Sequence, residues 1–346
     1  MKNWIFKYLW LVLVPLSIWL FLAKANQVAI FLTAMLAIIP LTSLIARSTR
    51  QLSQKTSTVV SSLLNATFGN AIELLIAIFA LRAGLVEMVR ASIIGSIVIN
   101  ILLLIGLSMV FGGLKYSEQK FNKDSAGVSS TMLLIAVAGL SMPTIYAVLT
   151  AKSAVVMSQA VSVILGITYL LSLVFVLFTH RHLFVAVRDA SEQVVWGLRK
   201  SVLVLLVSLG LTALESYMLV DVLKPLIDNT ELNETFVGLV IIAIITNVPE
   251  HLAAIGYGRR NNITLSLEIG MNSTTQIALF VVPVLVLISP LLASEMSLAF
   301  APFQMVAMIL AVLIINYVSI DGVCNWFEGI KLVAMYIIIA IAFYFA

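Results

Sequence analysis

The chain has 346 residues, of which 62% are hydrophobic and only 10% are charged, and its mean hydropathy is +1.12. A soluble core does not require so apolar a composition, so we predict an all-α integral membrane protein. The single cysteine, Cys324, excludes an intramolecular disulfide and any cysteine cluster for zinc or iron.

At about 20 residues per span, the hydropathy of the chain predicts eleven transmembrane segments. In chain order they are 5–22, 28–46, 57–82, 86–111, 125–147, 153–179, 199–221, 233–257, 264–289, 298–316 and 329–346. The first segment also fits a cleavable signal peptide that ends at Ala23-Lys24-Ala25. We favour a retained helix over 1–25, because its tryptophans suit an interfacial anchor.

Basic residues are concentrated in alternate loops between these segments. Lys and Arg accumulate in cytoplasmic loops, so the pattern predicts a cytoplasmic N-terminus and an outer C-terminus, in a bacterial inner or plasma membrane. Only five of the 20 basic residues then lie outside: Lys24, Arg82, Arg90, Lys152 and Lys224. The net charge of +4 therefore reflects topology, and no nucleic acid is expected as a partner.

The third segment carries a carboxylate inside an otherwise apolar stretch, Asn65-Ala-Thr-Phe-Gly-Asn70-Ala-Ile-Glu73. A related stretch, Thr246-Asn247-Val-Pro249-Glu250-His251, lies in the eighth segment. Three pairs are each separated by 177 positions: Asn70 and Asn247, Glu73 and Glu250, Ser96 and Ser273. A carboxylate in hydrocarbon is costly, so a duplicated one indicates a site shared by two related halves.

The longest polar stretch, 181–198, is predicted to be a cytoplasmic linker between two repeats of five helices, 26–180 and 199–346. Five is odd, so the two halves are inserted with opposite orientation. Inverted repeats place the substrate site near the bilayer midplane, where broken helices free backbone carbonyls for a cation. Two residue pairs are predicted to make these breaks: Gly69 with Asn70, and Asn247 with Pro249.

The residue types at this predicted site suit calcium, which takes about six to eight oxygen ligands. Glu73 and Glu250 supply two negative charges, which match one divalent ion. Further predicted ligands lie near them in the two halves: Asn70, Asn247, Ser96, Ser273 and Gln276. Glu73, Glu250 and His251 are predicted to couple transport to protons, because burial favours a protonated carboxyl whereas a bound cation drives the proton off.

Several of these residues have a structural alternative. The two asparagines could only satisfy carbonyls freed at the helix breaks, and the two serines could be ordinary helix-packing residues. His251 could fix Glu250 through a hydrogen bond. Glu215, in the seventh segment, has no counterpart at the 177-residue spacing, and a structural pair and a proton path both remain open for it.

The stretch 65–73 resembles the signature of cation/proton exchangers in the calcium/cation antiporter superfamily. Other stretches are similar to the same family: Gly95-Ser96 with Asn100, Phe111–Tyr116, Glu250-His251, Ser273-Thr274 with Gln276, and Asp321–Gly329. The resemblance implies a sodium/calcium exchanger-like fold of ten helices in two inverted repeats, with an additional N-terminal helix. It also implies an antiporter that exports Ca²⁺ against entering H⁺ by alternating access, without a cofactor.

The second half departs from that family's pattern. Thr246, Val248 and Pro249 stand where the family has small residues, and Asn272 replaces the glycine expected before Ser273. The Pro-Glu pair is similar to the sodium/calcium branch, so an antiporter of the same fold for Na⁺, K⁺ or Mn²⁺ is the alternative.

Two other classes of membrane protein fit less well. A channel needs a continuous pore with a repeated filter, and an intramembrane enzyme needs catalytic spacings that the sequence lacks, so no enzyme is expected. The expected partners are cations, protons and the lipid bilayer. Association into a homo-oligomer stays open.

Overall fold

The structure is a computed structural model that describes residues 10–56, 58–180, 195–229, 233–292 and 294–345. Among these residues, seven helices are long and apolar enough to cross a membrane, or nine if two bent helix pairs each form one span. Two shorter apolar helices, α1 (Trp10–Leu22) and α12 (Pro302–Val318), accompany them. Each of the eleven predicted segments overlaps one of these helices or bent pairs, so the structure is consistent with eleven spans.

The first compact unit draws its described residues from Met1–Leu85 and Asp189–Asn233. It contains α1 and four further helices: α2 (Gln27–Ser53), α3 (Thr58–Gly69), α4 (Ala71–Arg82) and α8 (Leu198–Asp228). Helices α2 and α8 pack against each other through a cluster that includes Ile45 and Leu205. Helix α1 packs on this pair, with Val14 against Leu41 of α2.

The second compact unit draws its described residues from Val86–Arg188 and Glu234–Ala346. Besides α12 it contains seven helices: α5 (Val86–Gly113), α6 (Lys123–Thr150), α7 (Val155–Thr179), α9 (Glu234–Thr246), α10 (Val248–Gly258), α11 (Ile263–Leu291) and α13 (Trp326–Phe345). The most apolar window of α5 is 83% buried, against 17% for α7, so α5 is the central helix of this unit.

A short antiparallel sheet in the second unit joins the loop after α5 to the loop before α13. Strand β1 (Gln119–Lys120) pairs with β2 (Val323–Cys324), with Gln119 opposite Cys324. The amide of Gln119 also donates to the carbonyl of Gly258 at the end of α10, at 2.9 Å. The sheet therefore holds the ends of three membrane helices together.

The predicted domain boundaries, 1–25, 26–180, 181–198 and 199–346, do not coincide with the two compact units. Each unit contains helices from both predicted halves, and the division into repeats stays a prediction. Residues 1–9 and 181–194, which include Lys2, Lys7 and most of the predicted linker, lie outside the described residues.

Both predicted helix breaks are present. The axis of the last part of α3, Leu63–Gly69, differs from that of α4 by 49° around Asn70, and the axes of α9 and α10 differ by 58° around Asn247. Asn70 has φ −111° and ψ 21°, and Asn247 has φ −101° and ψ 7°, so the two asparagines share one backbone conformation. Pro249 is the second residue of α10, where a backbone N–H would have no acceptor within the helix, so its absence costs no helical hydrogen bond.

A second local feature also repeats near the 177-residue spacing. Helix α5 has a π-helical turn over Ile99–Leu104, and α11 has one over Ile277–Val281. Helix α9 also has one, Val237–Ile242, which ends five residues before Asn247. Such π turns are frequent at functional sites, because the widened turn shifts the direction of the side chains around it.

Glycines allow α5 and α9 to approach backbone to backbone. A Cβ atom on Gly95 would overlap the carbonyl oxygen of Leu239, and one on Gly238 would lie 2.5 Å from the carbonyl oxygen of Met88. Only glycine permits this approach. It brings Ser96, the residue after Gly95, against α9.

We therefore expect Gly95→Ala to destabilise the protein. The added methyl group must push α5 and α9 apart, at a cost of about 1 to 3 kcal/mol, and the melting temperature of the purified protein should fall. Gly127→Ala is the matched control, because a Cβ atom on that helical glycine meets nothing within 4 Å. Equal melting temperatures for the two variants would contradict the close approach.

Candidate cation site

Asn247, at the break between α9 and α10, is the centre of a buried hydrogen-bond network in the second unit. Its side chain is fully buried. The amide Nδ2 lies 3.2 Å from Ser96 Oγ, 3.0 Å from Thr246 Oγ1 and 2.9 Å from the carbonyl oxygen of Ala243. The network thus holds the break against α5.

Asn100, on the π turn of α5, completes this network. It is fully buried, and its Nδ2 donates to Asn247 Oδ1 at 2.9 Å and to Ser273 Oγ of α11 at 3.0 Å. The other amide atom, Oδ1, is buried without a hydrogen-bond partner in the described part of the chain. A bound cation would satisfy such an oxygen, since buried polar groups in native proteins are nearly always paired.

Glu250 lies in the first turn of α10, three residues after Asn247, and is half-buried. The N-terminus of a helix carries a partial positive charge, which stabilises a nearby carboxylate by about 0.3 to 2 kcal/mol. Glu73 has the same position in the first turn of α4, after the buried Asn70 in the first unit. Each carboxylate therefore follows a helix break that partly offsets the cost of its charge.

His251 is hydrogen-bonded to the backbone of Asn247 at the helix break. Its Nδ1 lies 2.7 Å from the carbonyl oxygen of Asn247, which also accepts from the backbone N–H of His251 at 3.1 Å. A carbonyl only accepts, so Nδ1 carries a proton. The remaining ring nitrogen, Nε2, is buried without a partner among the described residues. The structural alternative, a hydrogen bond from His251 to Glu250, is thus not found among the described contacts of His251. The role of His251 in proton coupling stays a prediction.

The structure brings together three of the predicted ligands, Ser96, Asn247 and Ser273. Gln276 is half-buried and lies three residues beyond Ser273 on α11. Asn70 and Glu73 belong to the other compact unit, and their approach to these residues stays a prediction. No group of three or more His, Cys, Asp or Glu side chains that could hold a metal occurs in the described ranges, so amide and hydroxyl oxygens would have to complete a cation site here.

Asn100 is the main residue that the spacing argument missed. Position 277, which is 177 residues further on, is Ile277, so a search for duplicated polar residues cannot find it. The available signal was its place beside Gly95-Ser96 in the stretch that resembles exchangers.

The departures from the family pattern differ in their relation to the site. Thr246 is buried, and its hydroxyl accepts the hydrogen bond from Asn247 Nδ2, so this residue is part of the network. Val248 and Pro249 are half-buried at the start of α10, and Asn272 is exposed on α11. Thr246 is therefore the departure with the most direct effect on the network.

Two broken membrane helices, each with the same asparagine at the break and a carboxylate three residues later, are typical of polytopic membrane transporters with internal repeats. The chain belongs to the sodium/calcium exchanger protein family, whose profile matches residues 26–178 and 200–345. The family and the fold class predicted from the sequence are thus confirmed.

Two curated relatives cover almost the whole chain. The Ca(2+)/H(+) antiporter of Aphanothece halophytica is 37% identical over 99% of this chain and 97% of its own length. The Ca(2+)/H(+) antiporter ChaA of Bacillus subtilis strain 168 is 37% identical over 96% of each chain. Among solved structures, native YfkE is 34% identical, with a TM-score of 0.85 over 97% of this chain and 100% of its own.

The network predicts a specific effect of Asn100→Ala. This variant removes the link between Asn247 and Ser273 and leaves both with one fewer hydrogen bond, at a cost of about 1 to 3 kcal/mol. We expect the apparent affinity for the transported cation to fall about tenfold or more in flux assays.

Ser108→Ala is the matched control for Asn100→Ala. Ser108 is buried on the same helix, but its hydroxyl donates to the carbonyl of Leu104, within its own helix. An unchanged affinity in Asn100→Ala, or an equal loss in both variants, would exclude a role of Asn100 in the cation site.

Proposed function

We propose that the protein is a secondary active antiporter that exports Ca²⁺ in exchange for H⁺ by alternating access. Glu73 and Glu250 alternately bind the cation and protons. The observation that carries this proposal is the duplicated carboxylate, which in each half follows a helix break of the same backbone conformation. The relatives that are named Ca(2+)/H(+) antiporters support the choice of ions.

Calcium fits the chemistry of these residues. It is a hard cation that prefers carboxylate, amide, carbonyl and hydroxyl oxygens, and these are the groups that Glu250, Asn100, Asn247 and Ser273 offer. Two carboxylates neutralise one divalent ion. Glu73 and Asn70 would supply the second half of the ligand set.

Competition between cation and protons then couples the two fluxes. The protein can change between its inward-facing and outward-facing states when both carboxyls are protonated. It can also do so when Ca²⁺ neutralises both carboxylates. An empty, ionised pair leaves two uncompensated charges in a low-dielectric site, which is costly. The protein therefore changes state only with Ca²⁺ or protons bound, which is the requirement for antiport.

A different ion pair on the same fold is the second candidate. Thr246 adds a hydroxyl and bulk next to Asn247 where the family pattern has glycine, and such a change beside the ligands can alter selectivity among Ca²⁺, Mn²⁺, Na⁺ and K⁺. We further propose that the N-terminus is cytoplasmic and the C-terminus lies outside. Under this orientation Ca²⁺ leaves the cytoplasm as protons enter.

We expect Glu73→Gln and Glu250→Gln each to abolish Ca²⁺ transport in sealed vesicles with an imposed pH gradient. Each change removes one of the two charges that neutralise the ion but keeps the size of the side chain. Glu295→Gln, at an exposed carboxylate between α11 and α12, is the matched control and should transport as the parent does. Normal Ca²⁺ flux in either site variant would rule out the two-carboxylate mechanism.

The charge count predicts electroneutral exchange. If one divalent ion exchanges for two protons, the cycle moves no net charge, so a membrane potential at equal pH should drive no Ca²⁺ uptake. A potassium gradient with valinomycin supplies the potential, and a pH gradient of similar energy serves as the positive control. Robust uptake driven by the potential alone would show that the charge count is wrong.

A further inference from the structure

Glu215 is a buried carboxyl that, unlike Glu73 and Glu250, does not follow a helix break. It lies on α8 in the first compact unit, and its side chain is fully buried. At a rise of about 1.5 Å per residue, it is about 25 Å from the start of α8 and about 20 Å from its end. It is therefore deep within a membrane span and has no direct access to water at either helix end.

The carboxyl has a single polar partner in the described part of the chain. Glu215 Oε1 lies 2.6 Å from the hydroxyl oxygen of Ser17 on α1. The second oxygen, Oε2, is buried and has no hydrogen-bond partner among those residues. The side chain of Ser216 is also buried without a partner there.

No cation compensates Glu215 within the described residues. Helices α1, α2, α3 and α4 pack against α8, and the described residues of α1 and α3 contain no titratable side chain. The titratable residues on the other helices are Arg47 and Arg50 on α2, Glu73 and Arg82 on α4, and Arg199, Lys200, Tyr217, Asp221, Lys224 and Asp228 on α8 itself. No described side chain among them pairs with Glu215, whose hydrogen-bond partner is Ser17.

The geometry around Ser17 indicates where the proton is. Ser17 Oγ lies 2.8 Å from the carbonyl oxygen of Val14 and 2.6 Å from Glu215 Oε1. A hydroxyl has one proton to donate, and serine in a membrane helix commonly gives it to a carbonyl one turn earlier. The second short contact then needs a proton from the carboxyl.

We propose that Glu215 is a proton-binding site separate from Glu73 and Glu250, and that its bound proton is donated to Ser17 and fastens α1 onto α8. A neutral carboxyl also fits the surroundings, because an ionised one with a single hydrogen bond would be very costly at this depth.

The predicted repeat offers no counterpart to this carboxyl in the first half. Helix α2, which has the corresponding place in the first half, contains no acidic residue, and the position 177 residues before Glu215 is the fully buried Ile38. Helix α1 lies outside both predicted repeats. The carboxyl without a counterpart in the first half thus contacts the one helix that lies outside both predicted repeats. We assign the fastening role to Glu215 for this reason.

Infrared difference spectroscopy of the full chain in lipid bilayers tests the protonation state. At neutral pH we expect the C=O stretch of a protonated carboxylic acid in the parent and its loss in Glu215→Gln. Ser17→Ala should shift this band, because the acceptor of the proton is removed. Ser216→Ala, one residue along the helix, is the matched control and should leave the band in place.

Loss of ionised carboxylate bands in Glu215→Gln would overturn the proposal, as would a band that Ser17→Ala does not move. The Ser17→Ala measurement keeps the test decisive if Glu215→Gln fails to fold.

Hydrogen exchange of residues 10–22 tests the fastening. We expect Ser17→Ala and Glu215→Leu to speed amide exchange in α1 about fivefold, which corresponds to the loss of one hydrogen bond, and Ser216→Ala to leave it unchanged. Equal exchange in all variants would contradict the fastening role.

These two experiments do not depend on the ions that the protein transports. The number of protons exchanged per cation separates the two proposals, since Glu215→Gln should leave that ratio unchanged. A changed ratio would place Glu215 among the coupling residues and overturn its separation from Glu73 and Glu250.

Discussion

The cost of a carboxylate in hydrocarbon is the constraint on which this structure depends. At the centre of a span such a charge costs at least about 2.5 kcal/mol, and Glu73 and Glu250 each reduce that cost in the same way. A helix ends one turn earlier, at Asn70 or Asn247, and a new helix begins. The carboxylate therefore lies in the first turn of a helix, at the positive end of its dipole. Tolerance of the charge and access of an ion to the backbone therefore come from the same helix break.

The break in the second half is held by other buried polar groups. Asn247 is bonded to Ser96, Thr246 and Asn100, and His251 binds the carbonyl of Asn247. Glycine contacts between α5 and α9 bring these groups within hydrogen-bonding distance. A site of this kind can keep Asn247 in place while the ion is exchanged for protons, because amide, hydroxyl and backbone groups hold the break.

The sequence could predict the features that have local or repeated signals. Long apolar runs located the spans, and the duplicated Asn and Glu residues at one spacing located both breaks. It could not predict Asn100, whose counterpart is Ile277, or the contact of Ser17 with Glu215, because each depends on two helices that are distant in the chain. The compact units also differ from the predicted domains, since α8 of the second half packs with α1 and α2 rather than with its own repeat.

Proton release on cation binding tests the central claim most directly. Calcium titration calorimetry of the purified protein, in buffers with different ionisation enthalpies, counts the protons released per ion bound. At a pH where both carboxyls are protonated before the ion is added, the two-carboxylate account predicts about two protons per Ca²⁺, and an apparent affinity that rises with pH. Calcium binding without proton release, at an affinity independent of pH, would contradict it.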